Sequence, residues 1–169
     1  MKVEYFKHNI AEKEKESVLN TLGSTFISIG PRTKEFEEKL ADYLDAKFCV
    51  GVTSWTMGNF ITLKALGIGP GDEVITTPMS FIATSNTIIH SGATPVFVDV
   101  EPDTGNIDIS KIENAITEKT KAILPVHLYG QMCNMIRIYE IAEKHRLYLI
   151  EDCAHCIEGI RDDIRPGKL

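Results

Sequence analysis

The chain has 169 residues, of which 43% are hydrophobic and 25% charged, a composition typical of a single globular domain with a hydrophobic core. Its formal net charge of −6, without any basic cluster, argues against a nucleic acid or an anionic membrane surface as partner. The longest apolar runs have the length of strands, so none is expected to span a membrane.

Residues 1–5 are too polar for a signal peptide, so the expected compartment is the cytoplasm. In that compartment the four cysteines are expected to be thiols rather than disulfides.

Helices and strands are predicted to alternate along the chain. Hydrophobic periodicity, glycine and proline positions and capping residues place them. The predicted helices are 11–22, 33–44, 57–66, 81–90, 110–116 and 135–145. The predicted strands are 48–52, 73–76, 95–100, 121–127 and 147–150. Thr33, Ser80 and Ser110 are the predicted helix N-caps. This alternation predicts an α/β fold, with a mostly parallel sheet and helices on both of its faces.

The last predicted strand ends in a pair of carboxylates, Glu151 and Asp152, with His155 three residues further on. Ligands of open α/β sheets bind at the carboxyl ends of the strands. A buried Asp152 stays charged only beside a cation or hydrogen-bond donors, such as a protonated heterocyclic nitrogen, an arginine or a helix N-terminus. His155 could reach the same ligand. In the alternative interpretation, Asp152 caps a following helix and His155 lies in solvent.

Two earlier strand-to-helix junctions also carry candidate groups. The hydroxyls and free N–H groups of residues 53–56 could bind an anion, most naturally a phosphate, although ordinary capping is the simpler interpretation of the local sequence. Phe81 could stack on a planar ligand, or it could be a core aromatic, which its local sequence favours. Residues 127–130 either line the same edge or form a turn.

Cys153 and Cys156 form a C-x-x-C pattern at a predicted helix start, a position that lowers a thiol pKa and suits thiol–disulfide exchange. The alternative is that these are small thiols packed beneath the helix. No metal site is predicted, because there is no second C-x-x-C and because His127 and Cys133 are distant in sequence.

Together, several segments resemble the DegT/DnrJ/StrS sugar aminotransferases, which are fold-type I enzymes that use pyridoxal 5'-phosphate. The matching motifs occur in the family's order over nearly the whole chain. They are Pro31 with residues 34–37, and residues 67–75, 92–100, 125–131 and 150–152.

The resemblance implies a role for six residues in cofactor binding. The family's phosphate-binding Ser-Gly-Thr falls on Ser54, Trp55 and Thr56, where Trp55 replaces the glycine and crowds the loop. The ring-stacking aromatic falls on Phe81, and the aspartate that pairs with the pyridinium nitrogen falls on Asp152. The residue near the phenolic oxygen of the cofactor falls on His155.

The resemblance also implies a domain organisation. Residues 1–32 are expected to form an N-terminal helix and loop, and residues 33–169 an incomplete pyridoxal-phosphate-binding large domain. The Schiff-base lysine and the C-terminal small domain are expected to lie beyond the end of the chain. No catalytic residue is therefore assigned, and the isolated chain is expected not to turn over.

The implied activity is the conversion of a keto-sugar nucleotide to an amino-sugar nucleotide, with glutamate as the amino donor and a homodimer as the assembly. Two alternatives remain open. One is a sugar dehydratase on the same scaffold, in which histidine replaces the Schiff-base lysine. The other is a thiol-redox or non-enzymatic α/β domain that uses Cys153 and Cys156.

Overall fold

The computed structural model describes residues 7–169. The N-terminal stretch considered for a signal peptide lies outside the described residues. The chain divides into two compact units, one up to Gly51 and the other from Val52 onward. The expected division between residues 1–32 and 33–169 remains a prediction.

The first unit contains two helices, α1 (Glu12–Leu22) and α2 (Pro31–Leu44). Helix α1 ends before Gly23, as predicted. Helix α2 begins two residues before the predicted cap Thr33, because proline is well suited to the first helical position. No described side chain of this unit is buried.

The prediction of a strand at 48–52 is wrong. No described strand pairs with this segment, and the side chains of Phe48 and Val50 are 78% and 75% exposed. β-forming residues adopt a strand when a neighbouring strand and a packed face stabilise it, and this segment has neither.

The second unit contains a four-stranded sheet in the order β2-β1-β3-β4, and every pair is parallel. The strands are β1 (Glu73–Thr76), β2 (Thr94–Phe97), β3 (Thr120–Ile123) and β4 (Tyr148–Leu149). The predicted parallel α/β fold is confirmed. The ladder ends at Phe97, Ile123 and Leu149, so β2, β3 and β4 stop before the predicted strand ends and are shorter than predicted.

The helices of this unit are α3 (Trp55–Ala65), α4 (Ala83–Ser91), α5 (Ile109–Ile112) and α6 (Met135–His145). Asp108 caps α5 by accepting the N–H of Ser110 at 3.1 Å, so Ser110 is not the cap that the sequence predicted. Ser80 does not cap α4 either, because the cap position is Ile82. No described helix combines the length and the apolar character that crossing a membrane requires.

The sheet is covered on both faces, as predicted, because successive side chains of a strand point in opposite directions. Ile75 and Ile123 pack into a cluster with residues of α5 and α6, including Ile112 and Ile138. The neighbouring positions pack instead with residues of α3 and α4. That second cluster contains Leu63, Ile68, Val74, Ile88, Ala93, Ala122, Leu124 and Val126.

The strand order reverses direction beside β1. The chain passes from β1 to β2 on one side and then returns to place β3 and β4 on the other. Such a reversal opens a crevice at the carboxyl ends of the strands, and this crevice is where ligands of doubly wound sheets bind.

Candidate functional site

A cavity of about 230 Å³ lies at this carboxyl edge. It is formed by the start of α3 and by the segments that follow β1, β3 and β4. Five of the six predicted site residues line it: Trp55, Thr56, Phe81, Asp152 and His155. The volume is below the roughly 300–1,000 Å³ of pockets that enclose drug-sized ligands, so the cavity suits one small ring with its substituents.

The backbone of Asp152 is fixed by the sheet. Its N–H donates to the carbonyl of Pro125 at 2.9 Å, and its carbonyl accepts the N–H of His127 at 3.1 Å. These bonds form an isolated parallel bridge between Val126 and Asp152, beyond the ends of β3 and β4. The position of this side chain is therefore set by the rigid core of the fold.

The Asp152 carboxylate is buried, with 5% of the residue exposed, and accepts two hydrogen bonds. Its Oδ2 accepts the Thr84 hydroxyl and its Oδ1 accepts the Ala154 N–H, both at 3.1 Å. Residues 153–169 contain no helix, so the interpretation of Asp152 as a helix cap is wrong. Burial raises the pKa of the Asp152 carboxyl, whereas these two donors lower it. A cation that enters the cavity would stabilise the charged form.

Thr84 belongs to a chain of hydroxyl groups that leads into the cavity. Its Oγ1 lies 2.6 Å from the Oγ of Ser80, and both residues line the cavity. Sequence reasoning missed this role, since it predicts Ser80 as a cap and assigns nothing to Thr84. The available signal was the spacing of Ser80 and Thr84, which places two hydroxyls on one side of a helical turn.

The rings of Phe81 and His155 line the cavity, and Tyr129 stacks on His155 without lining it. Phe81 is 74% exposed although it lines the cavity, so the interpretation as a core aromatic is wrong. The rings of Tyr129 and His155 are stacked, with centroids 6.1 Å apart and planes within 10°. The edge thus presents flat surfaces suited to a planar ligand.

The start of α3 contributes free N–H groups, whose positive partial charge favours an anion. Ser54 does not line the cavity, and its hydroxyl caps the helix by accepting the Met57 N–H at 3.2 Å. Trp55 lines the cavity and also packs against the core cluster beneath α3 and α4. Its side chain therefore lies partly in the core and takes up only part of the space at the loop.

His127, whose place the sequence left open, lies in the wall of the cavity and is fully buried. Its Nδ1 accepts the N–H of Cys133 at 3.2 Å, which leaves Nε2 to donate to the Glu151 carboxylate at 2.9 Å. His127, Glu151 and Cys153 have potential metal-ligating atoms within 4.8 Å of one another. Both nitrogens of His127 already have protein partners, so its bonds stabilise the wall of the cavity.

The environment of the thiols does not suit redox chemistry. Burial raises the pKa of Cys153 and of Cys156, which is the opposite of the shift that makes a reactive thiolate. The predicted helix at the C-x-x-C is absent, so no helix N-terminus counters this burial.

Comparisons with known proteins agree on one family. The sequence profile of the DegT/DnrJ/EryC1/StrS aminotransferase family matches residues 8–168. The spore coat polysaccharide biosynthesis protein SpsC of Bacillus subtilis (strain 168) is 49% identical over 148 residues, which cover 88% of this chain and 38% of that protein. The GDP-perosamine synthase of Caulobacter vibrioides is 46% identical over 92% of this chain and 42% of that protein.

The solved structures give the same result. The putative sugar aminotransferase Spr1654 of Streptococcus pneumoniae, in its PMP-form, matches with a TM-score of 0.94 and 35% identity. The match covers 98% of this chain and 45% of that one. The chain thus spans about 40% of the length of the curated relatives described above.

Proposed function

Because the chain belongs to the DegT/DnrJ/EryC1/StrS aminotransferase family, we propose that it forms the cofactor-binding part of a sugar aminotransferase. The complete activity would convert a keto-sugar nucleotide to an amino-sugar nucleotide, with pyridoxal 5'-phosphate as cofactor and glutamate as amino donor. The name of the GDP-perosamine synthase supports the nucleotide-sugar class, and the PMP-form and PLP-form of Spr1654 support the cofactor. A cytoplasmic homodimer is part of the same proposal.

One observation carries this proposal: a buried carboxylate and an exposed aromatic ring line one small cavity beside a helix N-terminus. Asp152 would accept a hydrogen bond from the protonated ring nitrogen, and Phe81 would stack on the ring. Residues 54–56 would bind the phosphate through the hydroxyls and N–H groups at the start of α3. His155 would donate a hydrogen bond to the phenolic oxygen. When bound, pyridoxal phosphate supplies an electron sink whose strength depends on a protonated ring nitrogen.

The binding test can use a built-in reporter, because Trp55 is the only tryptophan of the chain and lines the cavity. Pyridoxamine phosphate is the suitable probe, since its amine cannot form imines with surface lysines as an aldehyde would. We expect it to quench Trp55 fluorescence saturably. The proposal is contradicted if the folded chain shows no saturable change.

Ser54→Asp separates the two interpretations of the α3 N-terminus. Aspartate is as good an N-cap as serine, so the free energy of unfolding should change by less than about 0.5 kcal/mol. Its carboxylate would repel a phosphate, so we expect pyridoxamine phosphate to bind at least about tenfold more weakly, as measured by fluorescence titration. Ser85→Ala is the control, because the Ser85 hydroxyl bonds the carbonyl of Ile82 within its own helix. If Ser54→Asp binds pyridoxamine phosphate as tightly as the parent chain, Ser54 acts only as a helix cap.

A further inference from the structure

We propose that Thr84 is a positioning residue for Asp152, and that the hydroxyl chain from Ser80 through Thr84 fixes the orientation of this carboxylate and keeps it ionised. The use of that charge to bind a protonated ring nitrogen rests on the proposed function. The hydrogen-bond role of Thr84 can be measured without any ligand.

The direction of each hydrogen bond follows from proton counting. An ionised carboxylate only accepts hydrogen bonds, so the single hydroxyl proton of Thr84 is donated to Oδ2 of Asp152, 3.1 Å away. In the 2.6 Å contact between the two hydroxyls, Ser80 must then be the donor. If Asp152 were protonated on Oδ2, it could donate a hydrogen bond to Thr84, and both hydrogen bonds of the hydroxyl chain could reverse their direction. The direction of these bonds is thus coupled to the charge of Asp152.

Thr84 is itself held in place. It is 1% exposed, and its carbonyl accepts the Thr87 hydroxyl at 2.9 Å, which in turn accepts a hydrogen bond from Asn59 Nδ2 at 2.6 Å. These bonds link α4 to α3, and the β-branched side chain of Thr84 has few alternative rotamers. The donor therefore faces Asp152 before any ligand arrives.

The two donors act on opposite oxygens of the carboxylate. The Ala154 N–H bonds Oδ1 and the Thr84 hydroxyl bonds Oδ2, so together they fix the rotation of the group. A hydrogen bond donated to the charged form stabilises that form against the cost of burial. Without the Thr84 hydroxyl, the carboxylate would retain the backbone donor, rotate more freely and ionise less readily.

The test compares Thr84→Val, which removes the hydroxyl at constant shape, with Thr84→Ser, which keeps it. Ser85→Ala is the matched control, because it removes a hydroxyl of the same helix that bonds within the helix. Carboxyl-carbon NMR of the ligand-free chain follows the titration of Asp152 in each variant. We expect Thr84→Val to raise the pKa of Asp152, and Thr84→Ser and Ser85→Ala to leave it near that of the parent chain.

A second measurement compares two ligands: pyridoxamine phosphate and its analogue in which C–H replaces the ring nitrogen. Thr84→Val should weaken binding of pyridoxamine phosphate about tenfold and leave the analogue unchanged, because only the first presents a nitrogen to Asp152. Thr84→Ser keeps the hydroxyl, so its affinities for the two ligands should stay near those of the parent chain. A role of Thr84 in folding alone would weaken both ligands equally.

The proposal is overturned if Asp152 titrates alike in the parent chain and in folded Thr84→Val, or if both ligands lose affinity equally. If the parent chain binds neither ligand, the proposed function fails instead, and the NMR titration still decides whether Thr84 controls Asp152.

Discussion

At the scale of single residues, the charge of Asp152 is the proposed binding feature for a ring nitrogen, and its burial lowers the free energy of unfolding. Burial raises its pKa above the ordinary value of 3.8, so the folded chain binds its proton more tightly than the unfolded chain. The contribution of Asp152 to the free energy of unfolding therefore decreases as pH rises from below 3.8 through the folded pKa.

Asp152→Asn should accordingly be more stable than the parent chain at pH 7, because the amide can bond Ala154 and Thr84 without a buried charge. The advantage should shrink as pH falls through the pKa of Asp152 in the folded chain. Urea denaturation at neutral and acidic pH measures both quantities. A variant that is less stable than the parent chain at neutral pH would contradict this expectation. Binding of pyridoxamine phosphate should be lost in the same variant, which would separate function from stability at one residue.

At the scale of elements, the end of α4 depends on a single glycine. Gly92 ends α4 with φ of +95°, and a Cβ at this position would lie 2.9 Å from Cγ and Cδ of Pro70. The close approach connects the end of α4 to the turn that precedes β1. Only glycine satisfies both the positive φ and the lack of space.

Gly92→Ala should therefore lower the free energy of unfolding by about 2–4 kcal/mol, from the left-handed backbone and the overlap together. Gly67→Ala is the matched control, because Gly67 also has a positive φ, of +73°, but a Cβ added there would meet no atom within 4 Å beyond its chain neighbours. That control should lose only about 1 kcal/mol. Chemical denaturation measures the free energy of unfolding of both variants. Equal decreases in the two would show that the contact with Pro70 relaxes without cost.

At the scale of the whole molecule, the four free thiols report on the packing of the chain. Burial raises the pKa of Cys133 to about 12 and also raises that of Cys153. We expect neither thiol to react with a disulfide reagent at pH 8 while the chain is folded, and all four to react in denaturant.

The same shifts give a pH dependence of stability. Because the folded pKa values exceed the ordinary value of 9.0, the unfolded chain loses thiol protons first, and the free energy of unfolding should fall as pH rises above about 9. The measurement is thiol titration combined with denaturation at pH 8 and 10. Rapid reaction of Cys153 in the folded chain would revive the thiol-redox hypothesis.

The sequence by itself determined the features that depend on neighbours along the chain. Helix α6 has the predicted bounds, 135–145, because an apolar stripe and the capping Asn134 define it locally. The alternation of helices with apolar runs predicted a parallel sheet. Asp152 lies at the ligand-binding edge because it follows the last strand, and the strand ends of such a fold share one edge. Local signals also misled: no strand forms at 48–52, and no helix follows Asp152 although Cys156 of that segment is buried in the core.

The tertiary structure decided which groups meet. Thr84 donates to a carboxylate 68 residues away, and His127 bonds Glu151 at a separation of 24 residues. The sequence is compatible with Phe81 in the core or at the surface, and the tertiary structure shows that it is exposed. Burial, hydrogen-bond partners and the pKa shifts that they cause depend on contacts between segments, and no periodicity or spacing within one segment specifies them.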